Sequence, residues 1–369
     1  IRMTVFDEKL NNLYSDSIFR NLSQNNLLTF NDLKQKVMIA EKKISSHIED
    51  SILMLDNKDM LVIDISLNKN LESKSEVDKV YNSLLLELYQ IINNNYNHLH
   101  ITNVIFSGSI IDNETYEELP KNKKIFNNIR ATFKLICFPK IIITNLKNHF
   151  NKNNLNIPHI FCTSFLKSLA YSIKLNLENV CFLEIGYERT SFIVFKKNKI
   201  NYIQSIPVGS FHITKDISKV LNITIEDAEK IKKSFNKSET EFSYKNESDY
   251  NMMTAKDIIK KNISIDLLKK VILYRVQEII DLSLTKPEFK NFSTEELDLF
   301  LIGDGSILFD NNSFYLKDKY KLNSINFFAE KDSEICNTGL NYYLEDYQNQ
   351  KKIVKRQGLF EKFFNFFDK

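Results

Sequence analysis

The residues of this 369-residue chain that could do chemistry are its few glycines and the acidic groups beside them. At an average of about 7%, roughly 26 glycines would be expected, and seven are present: Gly108, Gly186, Gly209, Gly303, Gly305, Gly339 and Gly358. A glycine kept against such depletion marks backbone at positive φ, or a close approach that a Cβ would block. Two of these sites carry a pattern. The apolar run 180–185 ends in Glu184-Ile185-Gly186 and is followed by the strand-like Thr190-Ser191-Phe192-Ile193-Val194. A hairpin of that shape can present backbone N–H groups to phosphates while its carboxylate holds magnesium. The apolar run 297–302 ends in Gly303-Asp304-Gly305, a turn whose missing side chains would let a purine lie against the backbone. Each motif also has a purely structural reading. Many α/β strands end in glycine, Glu184 suits a strand-end carboxylate paired with a nearby lysine, and Glu229 with Lys232 suits an exposed i,i+3 pair.

Other chemistries fail on spacing. The six histidines form no HxxxH or HExxH pattern, so no metal site is expected. Ser107-Gly108-Ser109 lacks the spacing of a nucleophile elbow. Cys137, Cys162, Cys181 and Cys336 have no CxxC spacing and sit mostly in apolar runs, which reads as reduced core thiols in a cytoplasmic protein. Fifty Lys and Arg against 47 Asp and Glu leave a net charge of +3, giving no whole-chain field for nucleic acid. No stretch reaches the apolar length of a membrane span. The chain opens on Ile1 and reads at once as a strand, so a preceding N-terminal segment is expected.

The elements that must position these residues follow from periodicity. A hairpin is expected over 3–20, a helix over 31–49, and a strand at Ile52-Leu53-Met54-Leu55. Residues 57–155 read as a self-contained α+β insertion: a strand at 60–65, a helix over 75–92, strands near 104–108 and 132–137, and a helix over 141–150. A helix over 163–175 leads into a β-meander at 180–185, 190–195 and 200–206. Ser210 starts a helix to Leu221, and Thr224 with Asp227 has capping spacing for a helix over 225–233. The polar stretch 238–250 reads as a loop, 263–284 as a long helix and 297–302 as a buried strand.

The C-terminus carries a separate signal. On a helix, Leu359, Phe360, Phe363, Phe364, Phe366 and Phe367 fall within an arc of roughly 160°, uninterrupted by polar groups. Lys355, Arg356 and Lys362 lie where such a helix would meet a surface, each worth about 1 kcal/mol against anionic lipid. Burying these apolar side chains, at about 1.5–3 kcal/mol each as an upper bound, suits reversible interfacial binding. Docking on the chain's own body or in a partner's groove are the other readings.

Taken in order, Leu183-Glu184-Ile185-Gly186, then Pro207-Val208-Gly209 with Thr214-Lys215-Asp216-Ile217, then Ala228-Glu229-Lys230-Ile231-Lys232, resemble the FtsA family of actin-like bacterial cell-division proteins. Arg275–Ile280, Leu301-Ile302-Gly303-Asp304-Gly305 and Thr338-Gly339-Leu340 extend the resemblance through most of the chain. It implies an α/β, actin-like (ribonuclease-H-like) two-lobed fold with an inserted SHS2-type α+β subdomain and a C-terminal amphipathic helix. The implied division is 1–56 with 156–179 as the first lobe, 57–155 as the insertion, 180–222 with 263–345 as the second lobe, 223–262 as its small subdomain, and 346–369 as linker and membrane-targeting helix.

By the same resemblance, ATP with magnesium would sit on Glu184, Gly186, Thr190, Gly209, Glu229, Lys232, Gly303, Gly305 and Gly339. The implied role is an adaptor that anchors FtsZ filaments to the cytoplasmic face of the inner membrane at the septum. It would recruit later division proteins and self-associate. Departures from the family pattern weaken the nucleotide side. Where the family reads D-x-G-G-G, this chain reads Glu184-Ile185-Gly186-Tyr187-Glu188, and Asp304 replaces the middle glycine of the adenosine turn. Weak or lost nucleotide binding is therefore expected, with no true enzymatic role. A PilM-like type IV pilus scaffold and an ATPase of the sugar-kinase and chaperone superfamily are the alternatives.

Overall fold

The computed structural model describes residues 2–7, 9–17, 30–48, 50–71, 75–120, 124–125, 127–234, 264–284, 297–306, 308, 317, 319–328 and 330–354. The first elements are Arg2–Phe6 (β1), Asn12–Ser17 (β2), Phe30–Ile44 (α1) and Asp50–Leu55 (β3). Next come Leu61–Asn70 (β4), Ser75–Glu76 (β5), Val77–Asn95 (α2), Leu99–Ile111 (β6), Glu114–Tyr116 (β7), Lys124–Ile125 (β8), Asn128–Pro139 (β9) and Lys140–Asn151 (α3). Asn156–Cys162 (β10) and Thr163–Leu175 (α4) lead to Val180–Ile185 (β11), Thr190–Lys196 (β12), Lys199–Ile206 (β13), Ser210–Leu221 (α5) and Ile225–Ser234 (α6). Ile265–Leu284 (α7), Asp298–Ile302 (β14), Ser324–Phe327 (β15) and Asp332–Val354 (α8) complete the order.

The least interrupted apolar runs form the middle of the main sheet, ordered β13-β12-β11-β14-β15. β11 pairs antiparallel with β12 and parallel with β14, so it is covered on both edges as well as both faces. Strand alternation then divides its side chains. Cys181, Leu183 and Ile185 join the core under α5, α6 and α7, while Val180 and Phe182 join the core with α4 and β10. Glu184 shares the parity of Val180 and Phe182 and therefore faces α4. That helix is buried on most sides, with Phe165, Leu166, Lys167, Ser168, Tyr171 and Ser172 all inaccessible.

Residues 61–151 form an α+β unit on the antiparallel sheet β4-β9-β6-β7. The 3–4 spacing of Val77, Val80, Leu84, Leu88 and Ile92 puts one face of α2 onto this sheet. β9 is shared between two cores. Phe133, Leu135 and Cys137 point toward α2, and Ile136 and Phe138 toward the core of β10 and α4.

Several expectations need adjusting. α1 ends at Ile44, short of 49. The strands expected near 104–108 and 132–137 are much longer, spanning Leu99–Ile111 and Asn128–Pro139. β10 and β15 have no counterpart in the sequence reading. Pro158 masks β10, and the structure accommodates it where the pairing with β3 shifts between Asn156 and His159. α8 runs on to Val354 through residues read as linker. The loop at 238–250 and the tail residues Lys355, Arg356, Leu359, Phe360, Lys362, Phe363, Phe364, Phe366 and Phe367 lie outside the described residues. Among the described residues, no helix is long and apolar enough to cross a membrane.

Cys137, Cys162 and Cys181 are buried, whereas Cys336 is partly accessible, and burial pushes the Cys137 thiol up to about 12. A thiol reagent should therefore modify Cys336 first and reach the other three only on unfolding. Mass-resolved labelling at increasing urea checks this; early modification of Cys137 or Cys181 would refute the packing.

Candidate functional site

The glycines singled out by the sequence converge on the β11–β12 turn. Gly303 has φ +88°, and a Cβ there would stand 2.6 Å from the Ile185 carbonyl oxygen. A Cβ on Gly305 would meet Ile185 Cγ2 at 2.5 Å and Ser210 Cβ at 3.1 Å. On Gly209 it would lie within 2.7 Å of the Arg189 nitrogen and of the Gly186 and Tyr187 carbonyl oxygens. The turn after β14, the turn after β11 and the start of α5 are thus packed backbone to backbone. Thr190 Oγ1 closes the group by donating to the Val208 carbonyl at 2.8 Å. Gly339 stands apart. It lies in α8, where a Cβ would meet Met54 of β3 at the thioether sulfur, 2.6 Å away, so its absence lets helix and strand approach.

Several of the groups that could take phosphate are already engaged. The first N–H groups of α5 point at the turn, Ser210 N donating to Gly186 O at 2.9 Å and Phe211 N to Tyr187 O at 2.8 Å. Gly186 N donates to Arg189 O at 2.9 Å, and Gly303 N to Glu330 Oε2 at 2.8 Å. Gly209 N is held by His212 Nδ1 at 3.2 Å. Burial, with Lys215 and Arg275 nearby, holds the His212 imidazole below its ordinary value. That keeps Nδ1 free to accept. The Tyr187 ring stacks on Phe211, centroids 4.8 Å apart.

Glu184 is the centre of a buried ionic group. Its Oε1 accepts from Lys167 Nζ, and its Oε2 lies 4.0 Å from Arg189 Nη2. Lys167 also meets Glu330 Oε1 at 2.9 Å, and the Tyr171 hydroxyl donates to the same oxygen at 2.9 Å. Arg189, only 2% exposed, pairs with Asp56 just beyond β3 and donates to Ser164 Oγ at 3.1 Å. Burial works against the charge on Lys167, but Glu184 and Glu330 outweigh it and raise the ammonium above its ordinary value. Burial raises the Asp56 carboxyl despite the opposing pull of Arg189, with Glu184 adding to the rise.

Glu229 and Lys232 are also buried, at 6% exposure each, not an exposed surface pair. Lys232 Nζ reaches Glu229 Oε2 at 2.7 Å, Thr214 Oγ1 at 2.8 Å and the Ser210 carbonyl at 3.1 Å, which occupies its three donors. Burial lowers the Lys232 ammonium against the opposing pull of Glu229. The structure thus brings Glu184, Gly186, Thr190, Gly209, Glu229, Lys232, Gly303 and Gly305 together and leaves Gly339 at the α8–β3 contact. Asp56, Lys167, Arg189 and Glu330 were missed by the sequence reading. Only Lys167 carried a visible signal, as a lone cation in the otherwise apolar and small run 164–171.

Magnesium with a nucleotide does not fit this arrangement. The carboxylate assigned to the metal is held by a lysine and faces an arginine, and the helix-end donors are bonded to the turn itself. Asp304, in the place of a glycine, pairs with Arg2 of β1 at 2.7 Å. Among the described residues, no group of three or more His, Cys, Asp or Glu is arranged to hold a metal ion.

Residues 181–352 match the family model described as Cell division protein FtsA. Helicobacter pylori FtsA is 31% identical over 91 residues, covering 24% of this chain and 18% of that protein. Bacillus subtilis FtsA is 28% identical over 152 residues, covering 40% and 34%. The chain is FtsA-like. The matched stretches span no more than about a third of these curated relatives' own length. A solved PilM–PilN type IV pilus biogenesis complex aligns at TM-score 0.54 and 14% identity, covering 87% of this chain and 81% of that chain. It supports the actin-like fold. The FtsA match opens in β11, so it takes in the Glu184 turn, the start of α5, Glu229 with Lys232, and the Gly303 turn.

Removing one member of a buried ion pair strands the others, at a typical cost of about 3–5 kcal/mol. Lys167→Met should lose about that much in urea unfolding. Lys167→Met combined with Glu184→Gln should lose less than Lys167→Met alone. A single variant as stable as the parent chain would show that Lys167 is not part of a buried network.

Proposed function

We propose that this chain is a division adaptor of the FtsA type, one that links FtsZ filaments to the cytoplasmic face of the inner membrane at the septum. The observation that carries the reading is the FtsA match over 181–352, which coincides with the second-lobe sheet and the helices around it. The Phe-rich tail supports it. Placed on a helix, Leu359, Phe360, Phe363, Phe364, Phe366 and Phe367 would share one face beside Lys355, Arg356 and Lys362, a pattern that suits a reversible hold on anionic lipid. In this reading 223–262 belongs to the small subdomain that meets FtsZ. The unit at 57–155 takes the SHS2 role of contacting later division proteins, and copies of the chain associate with one another.

The function is mechanical coupling, not turnover. A filament of FtsZ offers many binding sites, and a weak lipid anchor on each adaptor becomes a strong one when many are held side by side. Reversible tails on individual chains then suffice. ATP binding is weak or lost in this reading, because Glu184 is held by Lys167 and the Gly186, Gly209 and Gly303 N–H groups are engaged within the protein.

Cosedimentation with anionic liposomes tests this role, comparing the full chain with one ending at Gln357. FtsZ polymers from the same organism should pellet with liposomes only when the tail is present. Liposome binding without FtsZ recovery would move the reading to a pilus-type membrane scaffold. Absence of liposome binding would mean that the Phe face packs on protein.

A further inference from the structure

Gly339 and Gly358 are the last two glycines of the chain, and no glycine or proline interrupts the residues between them. α8 starts before the first of them and runs as 23 continuous residues, Asp332–Val354. Its first half is held on the body. The missing Cβ of Gly339 lets the helix approach Met54 of β3, and Ile335 is 4% exposed. Tyr342 meets Phe161 and Phe165 edge-on, with ring centroids 5.1 and 5.7 Å apart, and Tyr343 lies against His159 at 4.9 Å. These contacts fix the direction in which α8 runs on.

Past Leu344 the composition changes. The run Glu345-Asp346-Tyr347-Gln348-Asn349-Gln350-Lys351-Lys352 holds one apolar residue and so offers no stripe to bury. It is helical because it continues a helix that packing has already nucleated, where each further residue adds a hydrogen bond without a new nucleus. Glu, Gln and Lys suit that state, and Lys351 and Lys352 stand near the helix end where the macrodipole favours positive charge. In the sequence, Lys355 and Arg356 followed by Gly358 continue the pattern of a helix C-terminus, a basic last turn and then a glycine. The apolar run from Leu359 comes only after that glycine.

We propose that the second half of α8 is a stiff stalk that carries the Phe-rich tail, with Gly358 as the joint at which the tail turns to lie along a surface. The segment that joins body and tail is then a rod, not a flexible linker, and it sets both the distance and the angle between the body and the surface that the tail meets. From Glu345 to Val354 the rod is about 15 Å long at about 1.5 Å per residue. A coil of the same residues would span about 17 Å on average, so the mean hardly differs and the spread separates the two. Stiff stalks on neighbouring copies would hold their bodies at one height. The inference rests on the adaptor reading for what the tail meets, an anionic lipid surface, while the stalk itself stands on α8 alone.

Distances between spin labels in the full chain test it. Labels enter at Lys42→Cys, exposed on α1, and at Lys351→Cys on the stalk, in a Cys336→Ser background where the remaining cysteines are buried. Pulsed electron-spin distance measurements in solution should give one narrow distribution, and it should stay narrow on anionic liposomes. Gln348→Pro breaks a helix interior between the packed half and the label. It should keep the parent's urea midpoint and widen the distribution at least twofold. A parent distribution as wide as that of Gln348→Pro would mean a flexible linker and overturn the proposal. An equally narrow distribution in both would mean that the segment is held by contacts with the body, which also overturns it. A narrow parent distribution that Gln348→Pro widens, in a chain that does not pellet with liposomes, supports the stalk and contradicts the adaptor reading.

Discussion

A carboxylate inside a sheet has to be neutralised, because the protein interior offers it no water. Glu184 sets that constraint here. Strand alternation turns it toward α4, where Lys167 is the cation within reach, and the turn that follows folds Arg189 back to the same place. Once those two cations are buried, Asp56 and Glu330 are drawn in to balance them. The start of α4, the end of β3, the β11–β12 turn and the residues after β15 meet at this one group. The balance is uneven, with three carboxylates facing two cations, and burial raises the Asp56 carboxyl against the pull of Arg189.

The neighbouring cluster repeats the logic on a smaller scale. Thr214 on α5 and Glu229 and Lys232 on α6 satisfy one another and the Ser210 carbonyl. This fixes α6 against the start of α5, and α5 in turn holds the β11–β12 turn through the Gly186 and Tyr187 carbonyls. The two polar clusters are therefore connected through backbone. Polar groups gathered at such a turn can bind a ligand or bind each other, and in this structure they bind each other.

Much of this was legible from residue order. The strands 180–185 and 190–196 announce themselves as apolar runs on either side of a glycine turn, and α2 through its 3–4 spacing. The resemblance to FtsA drew Glu184, Glu229, Lys232 and the glycines into one site, and the structure brings all of them except Gly339 to the same turn. The pairing within the site was harder to see. Arg189 sits in a turn, where arginine ordinarily faces solvent, and its partner Asp56 is remote in sequence. Glu330 follows a strand too short and polar at its edges to be read as one. Depletion of glycine pointed to close approaches correctly, but sequence alone does not say whether the approaching group is a phosphate or the protein's own carboxylate.

The account rests on the protein's own charges satisfying Glu184 beside the β11–β12 turn. Crystals grown with magnesium and a non-hydrolysable ATP analogue at millimolar concentration test that claim most directly, since electron density would show which groups surround Glu184. The expected result is Lys167 and Arg189 still paired with Glu184, Glu330 and Asp56, and no phosphate at the β11–β12 turn. Phosphate density at the Gly186 turn, with Arg189 displaced and a metal ion on Glu184, would contradict it.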